Sequence, residues 1–277
     1  MCGCVFVCLA AVVIDKTSTG GSGVLSVTSV DDELFVLLAR VDNHVAVYSF
    51  SDYKLLRRLS VIRLKAYYLN DMTSCVRHKC LYMSDYRNKC IHRYDLRSSA
   101  VIKWRVRGSP ESLSVTPSCN LLVTCCEPSK LVELSADSGQ CVREITLQSD
   151  IMNPCHGVQL TTGQYVVCHG VWSDIFHRVC LVGDDGKVTR SYGGPRGSNV
   201  GQVNCPSHLA VDKDSQCIFV ADHGNHRVVL LSPTLEFVCY ITEKLSRPYR
   251  LYLDQSTQRL FVGQTTGDVV VIQGAFH

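Results

Sequence analysis

"PSHLAVDKDSQCIFVADHGNHRVVLL", residues 206–231, contains three short β-rich runs separated by turn residues. The runs are His208 to Val211, Ile218 to Ala221 and Val228 to Leu231, and the polar segments between them begin at Asp212 and Asp222. Clusters of Asp, Asn and Gly between β-branched runs predict a meander of antiparallel strands. A meander of this size cannot bury both of its faces alone, so other parts of the chain must cover it.

The chain repeats this pattern six times. The triplet that ends at Val220 has counterparts that end at Val36, Met83, Val123, Val167 and Val262. Successive anchors are 47, 40, 44, 53 and 42 residues apart, and a period of about 40–50 residues is typical of four-stranded propeller blades. We therefore predict an all-β fold, a six-bladed β-propeller of four-stranded antiparallel blades in one domain. The predicted blades cover approximately residues 24–60, 66–107, 109–148, 152–193, 203–242 and 246–273.

The apolar segment of residues 4–14, "CVFVCLAAVVI", has two interpretations. The sixth copy ends near Ile272 without an outermost strand, and an open sheet edge needs a partner. We predict that residues 4–14 supply this strand and close the ring, followed by a flexible connector from Asp15 to Gly23. Alternatively, the segment is a signal peptide and the protein is secreted, although no positive charge precedes the apolar run. The segment is too short to span a membrane.

The turns that follow the central strands resemble those of the NHL-repeat family of β-propellers. The motif residues are Asp222, Asn225 and Arg227 in the fifth copy, Asp85, Asn88 and Lys89 in the second, and Asn43 and His44 in the first. The simplest role of Asp and Asn in such turns is to bond nearby backbone amides. The resemblance implies a domain like those at the C-terminus of tripartite-motif proteins, which bind proteins or single-stranded RNA.

Positive charge is concentrated in one part of the chain. Residues 52–107 contain 14 Lys and Arg against 4 Asp and Glu, or +10, whereas the whole chain carries +3. On one face, this excess would attract nucleic acid or an acidic partner; scattered over outer strands, it would be ordinary solvated charge. Aromatic residues of the same region would stack on bases if they were exposed, and pack in the core otherwise. They are Tyr67, Tyr68, Tyr82, Tyr86 and Tyr94.

The 16 cysteines are predicted to be free thiols in a reducing, cytoplasmic compartment. Several fall within β-rich runs, where free cysteine packs as a small hydrophobe. They are Cys125, Cys168, Cys180, Cys217 and Cys239. Residues 183–201 are rich in glycine but lack the spacing of a phosphate-binding loop, so we predict a link made of turns there.

Polar residues are predicted to meet at one mouth of the central channel. Two residues after the opening prolines of four innermost strands stand Ser112, His156, His208 and Arg250. The second copy offers Asp71 or Met72 at this position, and the first offers Val24. Two histidines and an acid could bind a divalent metal, which looks like the arrangement in the metal-dependent amidating lyase. Polar side chains at a wet channel mouth are the simpler explanation.

A second group of possible metal ligands lies in the second copy. It comprises Cys75, His78, Cys80, Cys90 and His92. The spacing departs from the paired cysteines of common zinc sites, and the strand repeat already explains these positions. A structural role is therefore favoured over zinc.

The sequence favours a monomeric, non-catalytic recognition module that has no cofactor and does not engage a membrane. It would bind a protein or single-stranded RNA through one face of the propeller. The predicted partner-binding residues are Ser112, His156, His208 and Arg250 at the mouth, and Arg77, Lys79, Arg87, Lys89 and Arg107 in basic loops. The competing hypothesis is a metal-dependent lyase or hydrolase that uses His156 and His208 as ligands.

Overall fold

The β-branched and aromatic runs form strands that assemble into six antiparallel sheets of four strands each. The structure is a computed structural model that describes residues 6–12, 23–38, 45–59, 69–241 and 245–274. The six sheets confirm the predicted six-bladed β-propeller. Residues His223–Asn225 form a single 3₁₀ turn. Within the described ranges, no helix has the length and apolar character that crossing a membrane requires.

The strands are numbered in chain order, beginning with β1 at Phe6–Val12. Blade one contains β2 to β5, at Val24–Val30, Glu33–Leu38, Val45–Ser49 and Leu55–Leu59. Blade two contains β6 to β9, at Leu69–Cys75, Cys80–Asp85, Cys90–Asp95 and Val101–Arg105. Blade three contains β10 to β13, at Pro110–Val115, Leu121–Cys126, Ser129–Leu134 and Cys141–Thr146. Blade four contains β14 to β17, at Pro154–Gln159, Tyr165–His169, Phe176–Val182 and Val188–Pro195. Blade five contains β18 to β21, at Pro206–Val211, Ile218–Asp222, Arg227–Leu231 and Phe237–Ile241. Blade six contains β22 to β24, at Pro248–Asp254, Arg259–Gln264 and Val269–Gly274, and is completed by β1.

The core lies between the blades. Side chains of a strand alternate between the two faces of its sheet, so each blade packs against both of its neighbours. In β11, Val123 packs in a cluster with Tyr82 of blade two, whereas Leu122 packs in a cluster with Tyr165 of blade four. Because each interface repeats this pattern, burial of apolar surface holds the blades in a ring.

The ring closes as predicted, because β1 is the outermost strand of blade six. It pairs antiparallel with β24, from Phe6 opposite Gly274 to Val12 opposite Val269, with a bulge between Cys8 and Ala10. The ring is therefore closed by hydrogen bonds between the two ends of the chain. The predicted connector lies outside the described residues, apart from Gly23.

The prediction of turns across residues 183–201 is wrong for Val188–Pro195, which forms the outer strand of blade four. One of its glycines has a steric reason to be there. Gly193 has a φ of 102°, and a Cβ at this position would lie 2.4 Å from the carbonyl oxygen of His177. Glycine here therefore permits close strand pairing rather than a loop.

The cysteine side chains that the structure describes are free thiols, as predicted. Cys125, Cys168 and Cys180 are buried within strands. Cys239 is only partly buried, and Cys217 precedes β19.

Candidate binding site at the channel mouth

The innermost strands share a bulge that positions one side chain from each blade at the same level of the channel. These strands, β2, β6, β10, β14, β18 and β22, lie next to one another around the centre. In each, the pairing register shifts between the first and third residues, and a bulge re-aims the side chains beside it. The third residues are Ser26, Asp71, Ser112, His156, His208 and Arg250. Asp71, not Met72, is therefore the blade-two member, and the assignment of Val24 is wrong because Ser26 occupies that register.

The predicted basic residues do not share one face. We call the face on which the innermost strands begin the mouth face, and the opposite one the far face. Because strands are antiparallel, the turn between β7 and β8 lies on the mouth face and carries Arg87 and Lys89. Arg107, between β9 and β10, lies there too. Arg77 and Lys79 are in the β6–β7 turn and lie on the far face, so these five basic residues are divided between the two faces.

Asp71 is fully buried, and residues from three other blades contact its carboxylate. Its Oδ2 accepts the backbone N–H of Leu113 at 2.8 Å and lies 3.7 Å from His208 Nε2. Its Oδ1 lies 3.4 Å from Arg250 Nε. Burial alone would raise the pKa of Asp71, but the contact with His208 and the charge of Arg250 outweigh burial and hold the pKa well below its usual range. Asp71 is therefore an anion paired with a buried guanidinium.

His156 and His208 stack with their ring centroids 3.7 Å apart. Their exposed fractions are only 2% and 7%. Burial lowers the pKa of both, and for His156 the neighbouring histidine lowers it further. The backbone N–H of Leu209 donates to His156 Nδ1 at 3.2 Å, and that of Leu251 donates to His208 Nδ1 at 3.3 Å. Because each Nδ1 is an acceptor, each neutral ring carries its proton on Nε2.

This arrangement does not fit a metal centre. The nearest ligand atoms of Asp71, His156 and His208 lie within 4.8 Å of one another. However, a metal on Nε2 would move the imidazole proton to Nδ1, where it would face a backbone N–H. The Nε2 of His156 is already directed at the carbonyl of Leu113, at 3.2 Å. The donor set therefore disfavours the metal-dependent alternative.

The mouth retains polar atoms that a ligand could bind. Asp71 Oδ1, Ser112 Oγ and Arg250 Nε are buried without a hydrogen-bond partner in the described part of the chain. Arg250 Nη2 donates to the carbonyl of Asn70 at 3.0 Å. Glu111 accepts a hydrogen bond from the Asn70 amide at 3.1 Å, and burial raises its pKa. A water or a polar ligand atom would satisfy these groups, since buried polar atoms are normally paired.

An aromatic row leads outward from the mouth. The Arg250 guanidinium lies 4.1 Å from the ring centroid of Tyr249. The Tyr249 ring lies 5.8 Å from that of His223, which lies 6.2 Å from that of Trp172. Burial, followed by the charge of Arg247, lowers the pKa of His223 to about 4. At neutral pH the His223 ring is therefore neutral, and Arg250 is the charged member of the row.

The exposed end of this row was not predicted from the sequence. The β15–β16 turn on the mouth face presents Trp172 and Ile175, and Phe176 begins the strand that follows; the three side chains are 59%, 72% and 43% exposed. The turn is ordered by Asp174, whose Oδ2 accepts the backbone N–H of Val171 at 2.9 Å. The 53-residue spacing between the anchors Val167 and Val220, the longest in the chain, was the available signal. It indicated an insertion but not its exposure.

The second group of possible metal ligands, for which the sequence favoured a structural role, separates into three parts. Cys75 and Cys80 are paired at the far-face end of β6 and β7. His78 contacts Asp137 at 3.5 Å. Cys90 and His92 lie at the mouth-face end of the blade with Asp85.

The Asp and Asn residues that resemble the NHL-repeat motif form turns, as predicted. In blade five, Asn225 Nδ2 donates to Asp222 Oδ2 at 2.8 Å, and Arg227 Nε donates to the same oxygen at 2.7 Å. In blade two, Asn88 Nδ2 donates to Asp85 Oδ2 at 2.9 Å. Lys89 is exposed and has no equivalent role to Arg227. Asn43 and His44 lie outside the described residues.

The basic excess of residues 52–107 is spread over the disc. Lys103 and Arg105 lie on the outer strand β9, and Arg57 on the outer strand β5. On the far face, Lys79 forms an ion pair with Asp31 beside a cavity of about 290 Å³. Of the predicted aromatic residues, Tyr82 and Tyr94 are buried in the core, Tyr86 is partly buried, and Tyr67 and Tyr68 lie outside the described residues. No concentrated basic face results within the described ranges.

No protein-family model matches the chain, and no curated protein matches it in sequence. The resemblance to NHL repeats therefore stays a prediction.

Solved structures, in contrast, are similar over nearly the whole chain. Hydrazine synthase from Kuenenia stuttgartiensis has 15% identity and a TM-score of 0.67, and the match covers 95% of this chain and 99% of that one. A streptogramin B lyase has 9% identity and a TM-score of 0.67, with 93% and 95% covered. A catalytically inactive histidine-to-alanine variant of virginiamycin B lyase from Staphylococcus aureus, with quinupristin, has 9% identity and a TM-score of 0.65, with 92% and 96% covered. At these identities the likeness is one of architecture: the chain shares the six-bladed β-propeller fold with these proteins.

Proposed function

We propose that the protein is a non-catalytic recognition module of the NHL-repeat type, and that its mouth face binds a protein partner. The observation that carries this proposal is the ordered turn that exposes Trp172, Ile175 and Phe176. Clustered exposed apolar side chains are typical of interaction sites, and a turn whose backbone is already hydrogen-bonded loses less conformational entropy when a partner binds.

Other mouth-face residues enlarge this surface. Met152 and Val200 are 49% and 65% exposed, and both lie in links between blades on the same face. The Arg196 guanidinium lies 5.8 Å from the Trp172 ring centroid. Tryptophan and arginine together are the residues that most often dominate binding energy at protein interfaces.

Charge suggests the chemistry of the partner. Arg178, beneath the turn, is already paired with Asp150 at 2.8 Å. Arg196 stands beside Trp172. The surface therefore suits an apolar peptide segment that carries an acidic residue opposite Arg196.

As a partner, single-stranded RNA is supported less well than a protein. Binding a phosphate backbone needs several cations along one path. Arg77 and Lys79 lie on the opposite face from Arg87, Lys89 and Arg107, and Lys79 is paired with Asp31.

A lyase or hydrolase function, which two of the structural neighbours suggest by their names, is also supported less well. His156 and His208 are buried, and both nitrogens of His156 are engaged by the backbone. Neither ring is arranged to accept a proton from a substrate.

The test is selection of random peptides on the immobilised protein, followed by affinity measurement with Trp172→Ala/Ile175→Ser. We expect enriched peptides with apolar and acidic residues, and at least a tenfold weaker affinity for the double variant, or about 1.4 kcal/mol. Leu56→Ser/Val101→Ser is the matched control, because these apolar side chains are 52% and 44% exposed and lie on outer strands instead of the mouth-face turn; it should leave the affinity unchanged.

Two outcomes would overturn the proposal. The first is peptide binding that both double variants retain equally. The second is salt-sensitive binding of a random single-stranded RNA with no enriched peptide. Stoichiometric metal that is lost in His156→Ala/His208→Ala would instead favour the enzyme alternative.

A further inference from the structure

Blade two contains three buried potential metal ligands that the channel mouth does not use. Asp85, Cys90 and His92 are 4%, 0% and 2% exposed. One ligand atom from each lies within 4.8 Å of the other two. His92 Nε2 is 3.1 Å from Asp85 Oδ2 and 3.5 Å from Cys90 Sγ.

These separations suit the corners of a tetrahedral site. Zinc bonds of about 2.0–2.3 Å to oxygen, nitrogen and sulfur place ligand atoms about 3.3–3.7 Å apart in a tetrahedron. The nitrogen–sulfur separation of 3.5 Å lies inside that range, and the nitrogen–oxygen separation of 3.1 Å is slightly below it. The third separation, between the ligand atoms of Asp85 and Cys90, is no more than 4.8 Å.

The imidazole of His92 differs from those at the mouth in the way that matters for metal binding. In the part of the chain that the structure describes, no backbone N–H donates to its Nδ1, unlike the donors that face His156 and His208. His92 can therefore carry its proton on Nδ1 and present the lone pair of Nε2 to a metal.

Blade five provides a comparison in the same register. There, Asp222 is opposite Arg227 in the β19–β20 pair, and the two side chains form an ion pair at 2.7 Å. In blade two, Asp85 is opposite Cys90, which is too short and uncharged to replace the arginine. In blade five, Arg227 neutralises the charge of Asp222. In blade two, Asp85 instead lies beside a thiol and an imidazole, which are ligands that suit a soft divalent cation.

The charge of an occupied site also balances. A thiolate from Cys90 and the carboxylate of Asp85 supply two negative charges, which equal the charge of Zn²⁺. A neutral cluster is acceptable at a buried position. Asn88, which is exposed, donates its side-chain amide to Asp85 Oδ2 at 2.9 Å and so holds that carboxylate in place.

We propose that Asp85, Cys90 and His92 bind one zinc ion per chain. The ion fixes the turn between β7 and β8, which presents Arg87 and Lys89 on the mouth face.

The test uses the full chain, stripped with a chelator and titrated with zinc or cobalt. We expect one ion per chain and a rise of several degrees in Tm on adding zinc. X-ray absorption of the zinc form should show one sulfur at about 2.3 Å and the remaining ligands at about 2.0–2.2 Å. This measurement needs no variant and therefore does not depend on whether a substituted protein folds.

Variants then locate the site. Cys90→Ser should abolish the thiolate-to-cobalt charge-transfer band, and His92→Gln should weaken zinc binding at least tenfold. Cys80→Ser is the matched control, because Cys80 is an equally buried thiol at the other end of β7. Failure to retain an ion at stoichiometric zinc, two or more sulfur ligands, or equal loss in Cys80→Ser would overturn the proposal.

Discussion

Asp71 shows how one buried carboxylate organises the channel mouth. It pairs with Arg250 from blade six, lies beside His208 from blade five and accepts a backbone N–H from blade three. Blade two therefore contacts blades on the opposite side of the ring through one side chain. A buried ion pair of this kind contributes little net stability, but breaking it leaves a buried charge without a partner.

Replacing Asp71 with Asn should strongly destabilise the protein. The amide can still accept the backbone N–H of Leu113, but the Arg250 guanidinium would lose its counter-charge. We expect the free energy of unfolding to fall by about 3–5 kcal/mol, measured by urea denaturation. Asp214→Asn, at an exposed carboxylate, should change it by no more than about 0.5 kcal/mol. A similar small change for Asp71→Asn would contradict the assigned ion pair.

At the scale of elements, β1 is the part of the fold with the largest consequence for closure. Its pairing with β24 removes an edge that would otherwise expose backbone groups. This strand is distant in sequence from every other strand of blade six.

Deleting residues 1–14 should therefore abolish cooperative unfolding or cause aggregation. Moving the same residues to the end of the chain, so that it runs from residue 15 to 277 and then through 1–14, should restore folding. The permutation is expected to work because Phe6 and Gly274 are register partners. The measurement is thermal unfolding of both forms beside the parent chain. A deletion as stable as the parent would show that β1 is dispensable.

Much of this architecture could be predicted from the sequence because strands have local signals. The six apolar triplets, the first ending at Val36 and the last at Val262, indicated the blade period. The opening prolines placed His156, His208 and Arg250 at the same level of the central channel. Ser26 was missed because the inner strand of blade one begins with Val24 instead of the proline that opens four of the other inner strands, so no residue marked where the count should start. Val188–Pro195 was missed because its glycines look like turn residues, although Gly193 is required by close strand contact.

Other features depend on where distant turns meet in space. Trp172, His223 and Tyr249 come from three blades, so no local pattern could indicate that they form a row. The same applies to Asp85 beside His92, since the ligand pairing depends on the register of β7 with β8.

At the scale of the whole molecule, buried histidines should make stability depend on pH. Burial is the main cause of a lowered pKa in five histidines: His156, His169, His177, His208 and His223. The pKa falls to about 4 for His169 and His223. The unfolded chain protonates these groups near pH 6.5, whereas the folded protein does not. The stability is therefore complete above about pH 6.5 and is lost as the pH falls toward 4.

Replacing His169 with Leu should reduce this acid sensitivity. His169 Nε2 is buried without a hydrogen-bond partner in the described ranges, so Leu removes a titrating group without breaking a bond to that atom. Each such histidine steepens the fall in unfolding free energy by up to about 1.4 kcal/mol per pH unit. Urea unfolding between pH 7.5 and 4.5 should show a shallower slope for His169→Leu. His226→Asn, at an exposed position, should keep the parent slope. Equal slopes for the parent and both variants would contradict burial of His169 as a cause of the acid sensitivity.

The pairing of Phe6 with Gly274 also determines how the molecule responds to mechanical load. If tension is applied between these two residues, it acts along the hydrogen bonds that join β1 to β24, which lie across the strands. The bonds then bear the force one pair after another instead of all at once. In a single-molecule pulling experiment the disc should accordingly open first at blade six, at a lower force than strands pulled past each other lengthwise.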